Sequence, residues 1–298
     1  MKETEIPSMR ELMGKWEQKP VDALGPLDND LEEFYGSFPL TDGHSAELKI
    51  TKPKGPPPQV SGFPLIVLFH GGAFSVGSGN MVARPARDFA KQFQAVVVAA
   101  TYRLLPEYKF PTQMEDGWDA LYGVQLDRGF ILGGFSSGAT VAAVLLQQAR
   151  DQGLSPSLTG GFISIPMLLV DEIVPECYRG EWKSREENTQ DPAVTKDSLQ
   201  ETMDSWIPDI RSPLFSPFNA PNPHKGLPPT YVQVGGLDPL RDDGLIYEKA
   251  LRENGVLTRL DIYSELTHAA WTIFANESSP KDLGTNTMKA MEWLLGKT

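Results

Sequence analysis

The stretch Gly133-Gly134-Phe135-Ser136-Ser137-Gly138-Ala139-Thr140 sets two serine hydroxyls between glycines, after an apolar run and before a helical one. Gly134 to Gly138 fits G-x-S-x-G, the strand-to-helix turn that exposes a nucleophilic serine. Such a serine must sit in a tight turn with its hydroxyl free, and flanking glycines let neighbouring backbone come close. The N-terminus of the following helix then aims N–H groups at a developing anion. In that frame Ser136 is the nucleophile, and Ser137 offers a backbone N–H rather than its hydroxyl. A plain small-residue turn would carry the same letters, so the assignment rests on what else the chain supplies.

A serine hydroxyl at its normal pKa needs a base, and the base needs a carboxylate to orient it. There are four histidines. His44 falls in the turn Thr41-Asp42-Gly43-His44, His224 in the Pro-rich "APNPHKGLPP", and His70 directly before glycines. His268, in "YSELTHAAWTIF", alone comes late and after a strand, which makes it the candidate base. Asp238 follows the strand "PTYVQVGG" (229–236) and is the candidate carboxylate. Asp242 and Asp243 are rivals, but they fall in the next expected helix, where solvated first-turn carboxylates are routine. Serine, aspartate, histidine is the chain order of α/β hydrolases. His70-Gly71-Gly72-Ala73-Phe74 follows the strand "PLIVLFH" (64–70) and can turn its N–H groups toward the same strand ends. The glycine-rich "GGAFSVGSGN" could cradle a phosphate instead, but no G-x-x-x-x-G-K-[ST] or well-placed G-x-G-x-x-G accompanies it.

Elements must bring these residues together. "FYGSFPL" and "AELKITK" read as a β-hairpin, and "AVVVAATY" (95–102), 129–135, "GGFISIPML" (160–168), 229–236 and "LTRLDIYS" (257–264) as strands. Helices are expected over "MVARPARDFAKQF", with an irregularity at Pro85, and over 111–124, 137–150, 241–253 and 284–296. This alternation predicts an α/β fold with a mostly parallel sheet covered on both faces and ligands beyond the strands' carboxyl ends. Residues 170–216 are charged, contain Pro and Trp, and lack strand runs. They are expected to form a helical insertion that caps the strand ends together with about residues 1–32.

At 298 residues the chain suits one large domain, and no repeat or linker divides it. A net charge of −12 argues against nucleic acid or an anionic membrane as partner. Four histidines and a single cysteine, Cys177, leave little for metal chemistry and allow no internal disulfide, so no metal or other cofactor is expected. The N-terminal segment is charged throughout, and no stretch approaches the roughly 18–20 apolar residues of a membrane span. Ile6, Met9, Met13 and Trp16 share a helical face, read as docking onto the protein itself rather than onto lipid. A soluble, cytoplasmic protein is expected.

From about residue 33 to 296 the chain resembles the hormone-sensitive-lipase family of α/β hydrolases, which includes many carboxylesterases. "HGGAF" resembles that family's HGGGF, and "YRLLPEYKFPTQMEDGWDAL" (102–121) its Y-R-L-A-P-E segment, for which only a structural role is expected. "GFSSGA" resembles GDSAGG, and "GLDPLRDDG" resembles GLDPLRDEG. The resemblance implies Ser136 as nucleophile, His268 as general base, Asp238 as its partner, and an oxyanion hole from the N–H groups of Gly72, Ala73 and Ser137. It implies hydrolysis of a small-molecule ester. Phe74, Phe135, Trp206 and Trp271 are read as candidate pocket walls, against a plain core role for aromatic residues. Phe135 departs from the family's aspartate, Ala139 from a glycine, and "HAAW" from H-G-F. These departures leave room for a cyclase or dehydratase of a specialised metabolite. A receptor on the same scaffold is disfavoured, because the gibberellin receptors that resemble this family lack the histidine present here. A homodimer is left open.

Overall fold

The computed structural model describes residues 6–57, 62–123, 130–268 and 281–296. Strands β1 (Leu31–Pro39) and β2 (Ser45–Pro53) are the expected hairpin, paired antiparallel. Next come β3 (Leu65–Phe69), β4 (Val96–Ala100), β5 (Phe130–Phe135), β6 (Gly160–Ser164), β7 (Thr230–Gly235) and β8 (Thr258–Tyr263). The eight form one sheet in the order β1-β2-β4-β3-β5-β6-β7-β8, parallel from β4 through to β8. The helices among the described residues are α1 (Ile6–Ala23), α2 (Ala83–Phe93), α3 (Thr112–Gly123), α4 (Ser137–Asp151), α5 (Ser184–Glu187), α6 (Lys196–Trp206), α7 (Arg241–Glu253) and α8 (Lys281–Leu294).

Strands β3, β6 and β7 are buried at every position because helices cover both faces. Side chains alternate between those faces. Val67 and Phe69 join the core under α3, α4 and α7, while Ile66 and Leu68 join the core under α2 and α8. Residues 137–147 of α4 are all buried, as suits a helix that is small and apolar all round. Pro85 lies in the first turn of α2, where a missing N–H costs nothing. The expected irregularity falls just before it, where a 3₁₀ turn at Gly79–Val82 runs into the helix. Strand order reverses around β3, which has β4 on one side and β5 on the other. The crevice at such a reversal is where open α/β sheets bind ligands.

Residues 170–216, between β6 and β7, hold α5, α6 and two 3₁₀ turns, as the absence of strand runs implied. The expectation of solvated carboxylates at Asp242 and Asp243 is overturned: they are only 3% and 0% exposed. Asp243 accepts the N–H groups of Leu168 and Leu169 at 2.8 and 3.0 Å and the Trp182 indole N–H at 2.9 Å, and it pairs with Arg185 at 3.0 Å. Asp242 accepts the N–H groups of Lys183 and Ser184 at 2.6 and 2.7 Å. The first turn of α7 is therefore covered by the insertion, and its charges are tolerated because each is paired.

His70 and His224 are both buried, and burial pushes each imidazole down to about 4. The unfolded chain titrates them near 6.5. As pH falls below that value the unfolded state takes up protons that the folded state refuses until about pH 4. Stability is therefore lost progressively across that window. Thermal melts between pH 7 and pH 4.5 should show a falling midpoint, and His224→Gln, which cannot charge, should flatten the slope.

Candidate active site

Ser136 stands between β5 and α4 at φ 55° and ψ −123°, a left-handed conformation that only close packing sustains. A Cβ on Gly134 would lie 2.3 Å from the Gly138 carbonyl oxygen, and one on Gly138 would lie 2.3 Å from the carbonyl oxygens of Phe69 and His70. Both glycines are thus required for α4 to reach the ends of β3 and β5. The Ser136 N–H donates to the Ser164 carbonyl at 2.9 Å, tying the turn to β6.

The structure brings the three residues singled out in the sequence into one line. His268 Nε2 lies 2.8 Å from Ser136 Oγ, and His268 Nδ1 lies 2.8 Å from Asp238 Oδ2. With Nδ1–H donated to the carboxylate, Nε2 of a neutral ring is left to accept the serine proton. Asp238 is wholly buried after β7, and its other oxygen accepts the Leu240 N–H at 2.7 Å. Burial alone would lower the His268 pKa. The charge of Asp238, its hydrogen bond and the charge of Asp191 outweigh that, and Arg185 opposes them, so the pKa ends above its ordinary value of 6.5.

Beside Ser136 runs the loop after β3, with Gly72 at φ 112°, Ala73 at φ 51° and Phe74 at φ 61°. For alanine and phenylalanine this region costs about 1–2 kcal/mol per residue. Four outside contacts hold the loop in place. Leu105 donates its N–H to the Phe74 carbonyl at 2.8 Å. Arg10 of α1 donates to the Ser75 carbonyl at 3.0 Å, and Ser78 donates to Glu17 of α1. Tyr102 donates its hydroxyl to the His70 carbonyl at 2.8 Å and stacks on the His70 ring. The same hydroxyl lies 3.2 Å from Ser137 Oγ, so Ser137 donates to it. Among the described residues, the N–H groups of Gly72, Ala73 and Ser137 donate to no other backbone carbonyl.

A family model described as the α/β-hydrolase fold matches residues 66–272. An AB hydrolase superfamily protein of Schizosaccharomyces pombe is 30% identical over 308 aligned positions, covering 98% of this chain and 88% of its own. Versiconal hemiacetal acetate esterase of Dothistroma septosporum is 30% identical over 78% of this chain and 75% of its own. The crystal structure of vibralactone cyclase superposes with a TM-score of 0.87 at 27% identity, over 98% of this chain and 89% of its own. The chain belongs to the α/β-hydrolase fold family, in its hormone-sensitive-lipase and carboxylesterase-like branch.

In this α/β hydrolase two expected pocket walls are core instead. Phe74 and Trp206 are each 0% exposed and stack on one another at 4.2 Å between ring centroids. The indole N–H is satisfied by Gln113 Oε1 at 2.9 Å, which lets the tryptophan sink fully. Phe135 is half-buried, edge-on to Phe162 at 5.3 Å, and packs on the small cluster of Ile165, Tyr263 and Leu266. An apolar ring thus braces the elbow where the family has an aspartate. Trp271 lies outside the described residues.

Sequence reasoning missed Asp191, Arg10 and Glu17, because nothing local distinguishes them from surface charges. It did mark the segment holding Tyr102 as structural, without the bond that makes it so. Tyr102→Phe should unpair both the His70 carbonyl and the Ser137 hydroxyl, costing about 1–3 kcal/mol. Ser137→Ala should cost less, and the double variant should cost less than the sum of the two, read from denaturant melts as a double-mutant cycle.

Proposed function

We propose that this α/β hydrolase cleaves carboxylic esters through an acyl-enzyme on Ser136. The observation that carries the reading is the buried Ser136–His268–Asp238 line, with both contacts at 2.8 Å. His268 Nε2 takes the hydroxyl proton as Oγ attacks the carbonyl carbon, and Asp238 stabilises the imidazolium that forms. The N–H groups of Gly72, Ala73 and Ser137 receive the tetrahedral oxyanion. Each such donor is worth about 10²–10³ in rate. The imidazolium then gives its proton to the leaving alkoxide. Water attacks the acyl-enzyme with His268 again accepting the proton, and the carboxylic acid leaves.

The substrate we propose is a small to medium, apolar ester. Helix α1 and residues 170–216 form the cap: α1 touches the loop after β3, and the insertion reaches His268, so the bound molecule must fit beneath them. Phe135 and Trp271 are the aromatic residues left as proposed pocket contributors. The cytoplasm is the proposed setting, since the exposed Cys177 has no second cysteine in the chain to pair with.

The likeness to vibralactone cyclase favours a second reading, in which a hydroxyl of the substrate itself captures the acyl group in place of water and releases a lactone. The product separates the two: an acid from hydrolysis, a lactone from internal capture.

A fluorophosphonate should label the wild-type protein, and Ser136→Ala should abolish labelling and lower kcat on p-nitrophenyl acetate by about 10⁴–10⁶. Normal turnover in Ser136→Ala would sink the assignment. Because His268 must be neutral to act and its pKa is raised, kcat/KM should fall on acidification with a midpoint above 6.5, measured as a pH–rate profile.

A further inference from the structure

The proposed reading of His268 as base leaves one of its neighbours unexplained. Asp191 belongs to the insertion, 77 residues from His268 in the chain, and is only 3% exposed. One of its carboxylate oxygens accepts the N–H groups of Ala193 and Val194 at 2.7 and 2.8 Å. The other accepts the backbone N–H of His268 at 2.5 Å. An aspartate that only caps its own turn has no need of the second contact. One that only fastens the insertion could use any exposed N–H donor or cation on the body. This one is spent on the histidine.

Two consequences follow from the placement. His268 sits just past the turn that follows β8, where Leu266 is still held by a bond from its N–H to the Tyr263 carbonyl. The bond to Asp191 anchors the histidine's own backbone, and so sets where its ring hangs between Ser136 and Asp238. The carboxylate also places a second negative charge near a ring that becomes positive when it takes the serine proton. Among the described residues, the groups facing His268 are Asp238 from the β7–α7 loop, Asp191 and Arg185 from the insertion, and the neutral Ser136. Arg185 is itself paired with the buried Asp243 at 3.0 Å, which draws its charge away from the histidine. In a water-poor interior a fixed charge at this range is only weakly screened.

We propose that Asp191 is a positioning residue for the reaction: it anchors the backbone of His268 and lends its negative charge to the imidazolium, so that full turnover depends on this contact from the insertion. The base of this enzyme is thus completed by two carboxylates from different parts of the chain, Asp238 on the ring and Asp191 on the backbone.

The test is a pH–rate profile of Asp191→Asn with p-nitrophenyl acetate, beside the wild type and Ser136→Ala. Asparagine removes the charge and keeps one acceptor oxygen, so it can hold either the turn or the His268 N–H but not both. The acid midpoint of kcat/KM should move down by about one pH unit, because the histidine loses a stabilising charge. Turnover should fall about tenfold at the plateau with KM within about threefold, the sign of a loss felt in the transition state. Asp191→Ser, whose hydroxyl still accepts from the turn, should show the same shift, and Asp191→Glu should recover part of it. An unchanged midpoint and plateau in both neutral variants, or a change confined to the thermal midpoint, would overturn the proposal. So would failure of both neutral variants to fold while His268→Ala folds, since Asp191 would then be a structural anchor alone. Loss of turnover in Ser136→Ala with an unaltered Asp191→Asn profile leaves the reading of the site standing and removes only this inference. Turnover persisting in Ser136→Ala removes both.

Discussion

The carbonyl oxygens of Phe69 and His70 occupy the space that a side chain on residue 138 would need. That close approach of α4 to the end of β3 is the constraint from which the rest of the site follows. It forces Ser136 into a left-handed turn at φ 55°, which lifts the hydroxyl out of a sheet buried on both faces. It also sets the first N–H groups of α4 beside the loop that leaves β3. Strand and helix are ordinary on their own, and the strain between them places the serine.

Strain in one place is held by contacts from others. The loop after β3 carries two non-glycine residues in the left-handed region, a conformation with no local support. Its support arrives from Leu105 and Tyr102 on the segment after β4, and from Arg10 and Glu17 on α1. Tyr102 joins the root of this loop to Ser137 on α4, so a single hydroxyl spans the two backbone segments that face the serine. The "YRLLPE" segment has no reacting group of its own, and this bracing is its contribution.

Buried charge organises the other side. Asp238, Asp242, Asp243 and Asp191 are all nearly inaccessible to solvent. Burying a carboxylate without partners is costly, and breaking a buried pair is costlier still. Each of these aspartates is met by backbone N–H groups, and Asp243 also by Arg185. Three of the four join the insertion to α7 or to His268. The insertion is therefore fastened by interactions that cannot be lost singly at low cost.

The strands, their alternation with helices and the elbow were legible from local patterns, because apolar runs of strand length and glycine-flanked turns are properties of a few consecutive residues. The order of Ser136, Asp238 and His268 was legible for the same reason, since each follows its own strand. What no window could show was which distant charges and rings meet. His268 and Ser136 are 132 residues apart, and Asp191 reaches the histidine across 77. Asp242 and Asp243 look like solvated first-turn carboxylates until the insertion covers them, and Phe74 and Trp206 look like pocket walls until they stack on each other. The sequence by itself determined the elements and the residues able to do chemistry, because those depend on local backbone preference and residue type. Only the tertiary structure decided which side chains are buried and paired, because burial of a charge or a ring depends on what folds over it.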